Sequence, residues 1–435
     1  MSGTSANQIL NLFLQCGKVS TDTRQIEQGS IFFALKGANF NGNAFADTAI
    51  QQGAAYVVVD ELEYTKSDER YILVDDVLTS LQLLARDYRK LFHIPIIGLT
   101  GSNGKTTSKE LIAAVLSKRF RTHFTKGNFN NHIGVPLTLL QINPDAEVAV
   151  IEMGANHQKE IELLCNIALP THGLITNIGR AHLEGFGGIE GVQKGKGELL
   201  EFLKSTQGTF FLNTNDPRLV QMTSDYSKVV GYGVNEQILD DFYFSQLNAL
   251  DPFIRMEFRD ENLQKFDLVT QIEGRYNAYN IAAAVAIGNY FKVDPSDIKS
   301  GIESYIPANN RSQLIQFNGA ELMLDAYNAN PDSMRASIQS FLERNDEPKL
   351  LILGDMKELG EYSLEAHQHL VDWLADLKVE VVLVGNQFGL VKRPDQFQYF
   401  ESNVEAKDWF LRQELAGKSI LLKGSRSIGL EQLVQ

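Results

Sequence analysis

The stretch HIPIIGLTGSNGKTTSKELIAAVLSKRF, residues 93–120, decides the fold. Its first part is a short β-branched run that is typical of a buried strand. A Gly-rich turn follows, and apolar residues such as Leu111 and Val115 then repeat at helical spacing. A strand, a Gly-rich turn and a helix in this order predict an α/β domain that begins near residue 92.

The turn TGSNGKTT at 100–107 predicts a phosphate-binding loop. Its two glycines let backbone amides approach phosphate oxygens, and the N-terminus of the following helix adds its dipole. Lys105 supplies a point charge, and the hydroxyl oxygen of Thr106 can bind Mg²⁺ as a ligand. The longer GxxxxGK[ST] pattern would need Gly where this chain has Leu99, so the match is to a shorter GxxGKT variant. A turn that only caps a helix is the alternative, and the strand–turn–helix context favours nucleotide binding.

Length and composition bound the class of protein. A chain of 435 residues corresponds to two or three domains at about 150 residues each. The net charge of −14 opposes a broad nucleic-acid-binding surface. Cys16 and Cys165 form no CxxC pair, which argues against a disulfide framework or a thiolate zinc site. The sequence has no signal-peptide pattern and no apolar run of about 18 residues, so we expect a soluble, cytoplasmic protein.

The α/β pattern restarts twice along the chain. Short apolar runs alternate with helical patterns up to residue 91, again through the middle of the chain, and once more after Pro307. We therefore predict three α/β domains with largely parallel sheets, at 1–91, 92–306 and 307–435. In the middle domain we expect strands at 147–153, 172–179 and 208–214 and a buried helix at 277–291.

Three polar residues near strand-like runs of the middle domain suggest a metal site. Glu152 ends VAVIEM, His182 lies in NIGRAHLEGFGG, and Lys196 lies in QKGKGELL. The carboxyl ends of parallel strands meet at one edge of a sheet, where open α/β folds bind ligands. Each residue alone also fits an ordinary role, as a packed histidine or a solvated lysine. Together a carboxylate and an imidazole suit Mg²⁺ as sparse direct ligands.

Two further segments leave a functional and a structural interpretation open. GNFNNHIGVP at 127–136 places His132 beside two asparagines, which fits either a ligand cluster or an Asn/Gly turn. Arg311 and the run DAYNANPDSM at 325–334 fit either phosphate or ribose contacts or ordinary loop chemistry, with Asp332 as a helix cap.

These motifs together resemble the Mur ligase superfamily, the ATP-dependent amide ligases of cell-wall precursor synthesis. The family's order is kept across nearly the whole chain by TGSNGKTT, NNHIGVP, IEMGANHQKEI, NIGRAHLEGFG, KGELL, GRYNAYNIAAA, DAYNANPDSM, LGDMKELG and LLKGSRS. The branch of the family that adds a dipeptide has motifs similar to YNANPDSM, LGDMKELG and KGSRS. The first domain resembles the UDP-sugar-binding module through STDTR, FFALKG and FNGNAF. Thr23, Asn41 and Asn43 stand there where Ser, Asp and His would be expected.

The resemblance implies a fold and a reaction. The fold is α/β with a small UDP-binding domain, a central P-loop ATPase-like parallel-sheet domain and a C-terminal Rossmann-like domain. The reaction joins D-alanyl-D-alanine to the terminal carboxylate of UDP-N-acetylmuramoyl-tripeptide through an acyl phosphate, with ATP and Mg²⁺ as cofactors. We expect a monomer with neither a nucleic-acid nor a membrane partner, although the sequence does not determine the oligomeric state.

The resemblance also implies functional residues. The implied catalytic residues are Lys105, His182 and Lys196. The implied Mg²⁺ ligands are Thr106 and Glu152 for one ion, and His182 and a carbamylated Lys196 for a second. The implied ATP-binding residues are Gly101, Ser102, Asn103, Gly104, Lys105, Thr106, Thr107, Asn277, Arg311 and Asp325. The implied UDP-substrate contacts are Thr21, Asp22, Thr23, Arg24, Lys36, Asn41 and Gly42.

Carbamylation is expected because an ammonium has no lone pair and cannot bind a cation, whereas a carbamate offers oxygen ligands. Lys194 is the rival for this role. We favour Lys196 because Lys-Gly-Glu followed by two leucines aligns with the start of a helix in the family.

Two alternatives stay open at this point. A sister ligase that adds diaminopimelate or lysine would share almost every central motif, although the Asp-Asn-Pro-Arg expected of the diaminopimelate branch is absent from the C-terminal segment. A folate-type ligase is disfavoured, because a UDP-type first domain would then have no purpose. From another class, a non-catalytic ATP-binding switch would bind the nucleotide and ignore both substrates. The third residue of the tripeptide is not determined by the sequence.

Overall fold

The computed structural model describes residues 6–235, 242–250, 252–260, 263–308, 310–345 and 348–435. The chain divides into two compact units. One unit comprises Met1–Gly98, Arg121–Gly154 and Glu160–His172, and the other comprises Leu99–Phe120, Ala155–Lys159 and Gly173–Gln435. Residues 1–5 of the first predicted domain lie outside the described residues. The predicted domain boundaries after residues 91 and 306 stay predictions.

Strands and helices alternate along most of the chain. The strands are β1 Val19–Ser20, β2 Ile31–Phe33, β3 Lys36–Gly37, β4 Phe40–Asn41, β5 Tyr56–Val59, β6 Tyr71–Leu73, β7 Ile96–Thr100, β8 Thr122–Phe124, β9 Val148–Glu152, β10 His172–Ile175, β11 Thr209–Asn213, β12 Val229–Val234, β13 Phe242–Leu250, β14 Phe253–Arg259, β15 Lys265–Glu273, β16 Gln313–Phe317, β17 Ala320–Asp325, β18 Lys349–Gly354, β19 Glu380–Val384, β20 Gln398–Phe400 and β21 Ser419–Lys423.

The helices are α1 Ala6–Cys16, α2 Ala46–Gln51, α3 Val77–Arg89, α4 Lys105–Leu116, α5 Gly134–Leu140, α6 Glu160–Ala168, α7 Leu183–Phe186, α8 Ile189–Thr206, α9 Pro217–Met222, α10 Asn277–Tyr290, α11 Pro295–Glu303, α12 Pro331–Leu342, α13 Ser363–Ala375, α14 Asn386–Gly389 and α15 Asn403–Phe410. None of the helices in the described part of the chain is both long and apolar enough to cross a membrane.

The N-terminal segment forms a four-stranded parallel sheet in the order β1-β2-β5-β6 and a small antiparallel pair, β3 and β4. The strand residues Phe32, Val57 and Val59 are buried in one apolar cluster with the alanines of α2. Continuous apolar runs are expected in parallel strands, because helices or loops cover both faces of the sheet. Asp76 begins α3 by accepting the Thr79 N–H at 2.6 Å, which satisfies one of the unpaired donors of the first turn.

The largest sheet has nine strands in the order β15-β14-β13-β12-β11-β10-β7-β9-β8. The pairs β8–β9, β11–β12 and β12–β13 are parallel, whereas β13, β14 and β15 pair antiparallel. The prediction of a largely parallel sheet names no strand after 208–214 in this domain, and the antiparallel strands β13, β14 and β15 are an addition to it. Their physical signal is present in FIRMEFR at 253–259, where Ile254, Met256 and Phe258 alternate with polar residues and are buried.

The C-terminal sheet has the order β16-β17-β21-β18-β19-β20. All its pairs are parallel except β16 with β17. Its central strands are apolar on both faces, and Leu322, Ile352, Val382 and Leu422 are fully buried. Each such side chain contributes about 2 kcal/mol of hydrophobic stabilisation, so these strands form the rigid part of the segment.

Helix α10 confirms the buried helix predicted at 277–291 and ends one residue earlier. It is buried on nearly all sides, which fits its run of alanines and isoleucines. Two asparagines, Asn277 and Asn280, are buried in it among apolar residues. Buried amides need hydrogen-bond partners, and those partners belong to the candidate site.

Candidate functional site

The phosphate-binding turn lies between β7 and α4, as the sequence predicts. Gly101 has φ of 143° and Gly104 has φ of 79°, and L-residues rarely adopt either value. A Cβ on Gly101 would lie 1.9 Å from Thr176 Oγ1, and one on Gly104 would lie 2.5 Å from Asn280 Oδ1. Both positions therefore require glycine, for backbone conformation and for space.

The turn is held from outside by the segment that follows β10. The Ser102 hydroxyl donates to Gly179 O and accepts from Gly179 N, both at 2.9 Å. The Asn103 N–H donates to Asn177 Oδ1 at 3.1 Å, and the Thr176 hydroxyl donates to Asn103 O at 2.6 Å. These bonds explain why the predicted strand 172–179 ends at Ile175. The side chains of Thr176 and Asn177 bond to the turn, while the Thr176 N–H still donates to Thr100 O at the end of β7 at 2.9 Å.

Lys105 and Thr106 begin α4 at the end of this turn. The Lys105 ammonium donates to Gly101 O at 2.7 Å and to Ser102 O at 3.3 Å, so it lies over the loop. An anion at the loop would bind this ammonium more strongly than a neutral carbonyl does, because a hydrogen bond between two charged groups is stronger. Thr106 is buried. The loop therefore combines a fixed charge with an ordered backbone.

A chain of buried side-chain hydrogen bonds links α4 to α10. Ser108 Oγ donates to Asn280 Oδ1 at 2.9 Å, and Asn280 Nδ2 donates to Asn277 Oδ1 at 2.8 Å. Asn277 Nδ2 in turn donates to Glu273 O at 2.7 Å. Asn277 was predicted to contact the nucleotide. Its hydrogen bonds support the loop from behind, and the nucleotide contact stays a prediction.

Lys196 and Glu152 are both buried. Lys196 on α8 is fully enclosed, with its ammonium donating to Ala155 O at 2.8 Å and lying 4.8 Å from the centre of the Phe186 ring. Its rival Lys194 is exposed. Glu152 ends β9, and its Oε1 accepts from Asn130 Nδ2 at 2.8 Å.

The segment 127–136, left open in the sequence analysis, divides between its two interpretations. Asn130 contacts the predicted metal ligand Glu152. The side chain of Asn131 accepts from the N–H groups of Ile133 and Gly134, which is turn chemistry. His132 is exposed, and its carbonyl accepts from Gln82. Asn130 thus contacts a residue predicted to be a ligand, while Asn131 and His132 fit the turn.

His182 lies directly before α7, and its Nδ1 is 2.7 Å from Glu358 Oε2. His182 is the main cause that lowers the pKa of Glu358; partial burial opposes this effect, and the charge of Lys105 adds to it. The three groups therefore share one electrostatic environment. The sequence analysis used the motif LGDMKELG for the resemblance and assigned no role to Glu358 within it. Its proximity to His182 is a long-range contact that no local pattern signals.

The segment before α12 reaches the phosphate-binding turn. Asn330 begins α12 in a capping box with Ser333, and its Nδ2 donates to Asn103 Oδ1 at 2.7 Å. The Asp332 carboxylate accepts from the N–H of Arg180 at 2.7 Å and from its Nε at 2.9 Å. The run DAYNANPDSM therefore contributes to the site through these two side chains. The prediction that Asp332 caps the helix is wrong, because Asn330 is the N-cap of α12 and Asp332 lies in its first turn.

Two residues predicted to bind ATP have contacts elsewhere in the C-terminal segment. Asp325 is 2.7 Å from the ammonium of the buried Lys423. The Arg311 guanidinium lies 3.7 Å from the centre of the Tyr327 ring, a stacked cation–π arrangement. The nucleotide contacts of Asp325 and Arg311 stay predictions.

The predicted UDP-substrate contacts fall into two groups. In the first, Asp22 begins the short helical turn Thr23–Gln25 and accepts from Arg24 Nε at 2.9 Å and Nη2 at 2.7 Å. This guanidinium lowers the pKa of Asp22 to about 2. Thr21 precedes Asp22, and both residues are half-buried.

In the second group, the Lys36 ammonium is 3.0 Å from Asp60 and 3.3 Å from Glu61. Asn41 Nδ2 donates to Glu61 at 2.8 Å. A Cβ on Gly42 would lie 2.2 Å from Leu35 O, so this position requires glycine. The charge of Lys36 is thus already paired with carboxylates, and its UDP contact stays a prediction.

Comparisons with known proteins agree along the whole chain. Three family models match: "Mur ligase family, catalytic domain" at residues 17–89, "Mur ligase middle domain" at 99–288, and "Mur ligase, glutamate ligase domain" at 310–426. The UDP-N-acetylmuramoyl-tripeptide--D-alanyl-D-alanine ligase of Bacillus subtilis is 36% identical over 430 residues, which cover 96% of this chain and 92% of that protein.

Solved structures show the same similarity. MurF from Acinetobacter baumannii superposes with a TM-score of 0.85 at 30% identity, covering 96% of this chain and 92% of that one. The MurF ligase of Thermotoga maritima in complex with ADP gives a TM-score of 0.83 at 28% identity, covering 97% and 96%. The chain therefore belongs to the Mur ligase family and has its α/β fold, with an N-terminal domain, a central parallel-sheet domain and a C-terminal mixed-sheet domain.

Proposed function

We propose that this chain is an ATP-dependent ligase that joins D-alanyl-D-alanine to the terminal carboxylate of UDP-N-acetylmuramoyl-tripeptide in peptidoglycan precursor synthesis. The observation that carries the proposal is full-length similarity, because the Bacillus subtilis ligase of that name is 36% identical across 96% of this chain. The phosphate-binding turn supports the use of ATP, and a similar solved structure contains ADP.

The chemistry explains why the reaction needs ATP. A carboxylate is a poor electrophile, so one of its oxygens first attacks the γ-phosphorus of ATP, and ADP leaves. The amine of the dipeptide then attacks the carbonyl carbon of the acyl phosphate. Phosphate leaves with the former carboxylate oxygen, and the amine loses a proton as the amide forms. Two of the reacting groups are anions, so the site must supply positive charge.

Lys105 fits this need. Its ammonium lies over a loop whose backbone is fixed by Ser102 and Asn103, and it donates to the loop carbonyls of Gly101 and Ser102. We assign it to the β- and γ-phosphates of ATP, where it would attract the nucleotide and stabilise charge that develops on the transferred phosphoryl group.

Mg²⁺ fits the donor set, although it would bind through few side chains. Within the described residues, no group of three or more His, Cys, Asp or Glu side chains gathers around a common point. Glu152 is a buried carboxylate, His182 offers an imidazole nitrogen and Thr106 a hydroxyl. Mg²⁺ commonly binds proteins through one or two carboxylates, with phosphate and water oxygens completing the octahedron. When bound, it would neutralise phosphate charge.

We further propose that Lys196 is carbamylated in the active enzyme. The neutral amine would attack CO₂ and lose a proton, which converts a cationic side chain into an anionic one with two oxygen donors. Lys196 is fully buried on α8, whereas Lys194 is exposed. With His182, the carbamate would complete the second predicted Mg²⁺ site.

The division of labour follows the same proposal. The N-terminal segment, with Asp22 and Arg24, would bind the UDP-sugar end of the substrate, and the segment after about residue 306 would select the dipeptide. Thr21, Thr23, Lys36, Asn41 and Gly42 complete the proposed UDP-sugar contacts.

A donor and acceptor panel tests the proposal. The chain is incubated with ATP and Mg²⁺ and with one of three donors: UDP-N-acetylmuramoyl-tripeptide carrying diaminopimelate, the same donor carrying lysine, or UDP-N-acetylmuramoyl-dipeptide. D-alanyl-D-alanine and the diamino acids are added separately as acceptors. We expect a product only with D-alanyl-D-alanine, heavier than the donor by the dipeptide minus water. A product formed from UDP-N-acetylmuramoyl-dipeptide and a diamino acid would identify a sister ligase. ATP binding without a product under any condition would identify a switch.

A further inference from the structure

The contact between His182 and Glu358 is unusual because both residues have left-handed backbone conformations. Their φ angles are 54° and 63°. For residues with a Cβ, this conformation costs on the order of 1 kcal/mol each. Such strain persists only where the surrounding structure imposes it, and it concentrates at functional sites. Here the strained backbone directs an imidazole and a carboxylate to within 2.7 Å of each other, and since Nδ1 makes no aligned hydrogen bond, the contact is an electrostatic one.

The segments around the two residues are packed closely. The N–H of Glu184 donates to Glu358 O at 3.4 Å. A Cβ on Gly360, which has φ of 54°, would lie 2.9 Å from Glu184 Cβ. Segment 358–360 therefore lies directly against segment 182–184, and the side-chain contact is part of a built interface.

We propose that Glu358 is a positioning residue for His182, holding the Nδ1 edge of the imidazole so that Nε2 is the nitrogen with a free lone pair. The proposal rests on the proposed function, in which His182 binds Mg²⁺. Glu358 follows β18 of the C-terminal sheet, whereas His182 follows β10 of the nine-stranded sheet. The imidazole is thus oriented only while the C-terminal segment is in contact with the segment that carries it.

The physical reason is the tautomer of a neutral imidazole. One ring nitrogen carries the proton and the other carries the lone pair. A carboxylate beside Nδ1 stabilises the proton there and leaves Nε2 available as a ligand. A carboxylate in this position also fixes the orientation of the ring. Loss of such a carboxylate typically weakens metal binding by about 10- to 100-fold.

Glu358 is accessible enough to be substituted without disturbing the core, since its side chain is 48% exposed. Glu358→Ala removes the contact, and Glu358→Gln keeps an oxygen of similar reach. Glu361→Ala is the matched control, because Glu361 is exposed three residues further along the same segment. His182→Asn assigns the His182 signals in the spectrum.

The first measurement is NMR of the full chain labelled with ¹⁵N-histidine, without metal and at pH 8. We expect the Nδ1–H tautomer at His182 in the parent, a shift towards the Nε2–H tautomer in Glu358→Ala, and restoration in Glu358→Gln. The control should match the parent.

The second measurement is the Mg²⁺ concentration that gives half-maximal ligation. We expect it to rise about tenfold in Glu358→Ala, with the KM for D-alanyl-D-alanine within twofold, and to recover in Glu358→Gln. An unchanged tautomer in Glu358→Ala, or an equal change in Glu361→Ala, would overturn the proposal. A parent protein that forms no product would overturn the proposed function instead, and the NMR result would still report on the contact.

Discussion

The phosphate-binding turn and the Asp22–Arg24 turn are both polar, but they are held in different ways. Ser102 and Asn103 are bonded to residues 74 to 77 positions away, and Asn103 is also bonded to Asn330, 227 positions away. Asp22 and Arg24 bond to each other across two positions on the surface. A long-range network forms only in the folded chain and fixes geometry, whereas a local pair constrains its neighbourhood alone. Substitutions should therefore affect the two regions very differently.

The largest effect is expected at the phosphate-binding turn. Lys105→Ala should lower kcat about a thousandfold at saturating ATP, because it removes the charge that faces the phosphates. The loop backbone is held by Ser102 and Asn103, so the thermal midpoint should stay near that of the parent. Lys118→Ala, an exposed lysine after the same helix, is the control for charge loss alone. Near-normal turnover in a folded Lys105→Ala protein would remove this residue from the mechanism.

The next effect distinguishes the buried Lys196 from the exposed Lys194. Lys196→Ala should lower activity by about a hundredfold or more, because the proposed second Mg²⁺ site would lose the oxygens of the proposed carbamate. Short-chain carboxylic acids should restore part of the activity by entering the vacated space. Lys194→Ala should retain full activity. Full activity of Lys196→Ala without added acid, or a loss confined to Lys194→Ala, would show that the metal is held in another way.

A smaller effect is expected on the pH dependence of stability. Burial lowers the pKa of His172, at the start of β10, to about 4. As the pH falls, the unfolded chain binds a proton at His172 at about pH 6.5. The folded chain binds that proton only at about pH 4. Stability should therefore fall as the pH drops below 6.5, by at most about 1.4 kcal/mol for each pH unit.

Thermal midpoints at pH 7.5 and pH 5.0 measure this contribution. The difference between them should be smaller in His172→Gln than in the parent. His93→Gln, an exposed histidine in the same unit, should keep the difference seen in the parent. An equal pH dependence in His172→Gln and the parent would show that His172 does not titrate as its burial requires.

The smallest effect on stability is expected at Arg24. Arg24→Ala should leave the thermal midpoint unchanged, because an exposed ion pair contributes little. The KM for the UDP-linked substrate should rise roughly tenfold, because the substrate would lose one charge-assisted hydrogen bond. Arg70→Ala is a closely matched control, since Arg70 pairs with Asp68 across two positions in the same way. Equal KM values in both variants would remove Arg24 from the substrate site.

The same contrast separates what the sequence could predict from what it could not. The phosphate-binding turn and α10 were predictable, because glycine spacing and apolar periodicity are local signals. The contact of Glu358 with His182 and that of Asn330 with Asn103 were not, since both depend on how distant segments meet. Covariation between such positions would be the signal that reveals them.

The antiparallel strands of the largest sheet illustrate an error of another kind. FIRMEFR at 253–259 alternates apolar and polar residues, which is the pattern of a half-buried strand. The expectation of α/β alternation led to its omission, because an antiparallel extension breaks that alternation. The end of β10 was misplaced for a different reason, since Thr176 and Asn177 bond to the turn and only the tertiary structure shows this.

The most direct test of the central claim, that ATP activates the terminal carboxylate of the tripeptide, is the fate of a carboxylate oxygen. The donor is prepared with ¹⁸O in that carboxylate and incubated with ATP, Mg²⁺ and D-alanyl-D-alanine, and the released inorganic phosphate is analysed by mass. The account predicts one ¹⁸O atom in each phosphate, in equal amount to the ligated product. Phosphate that forms without ¹⁸O, while the product accumulates, would contradict it.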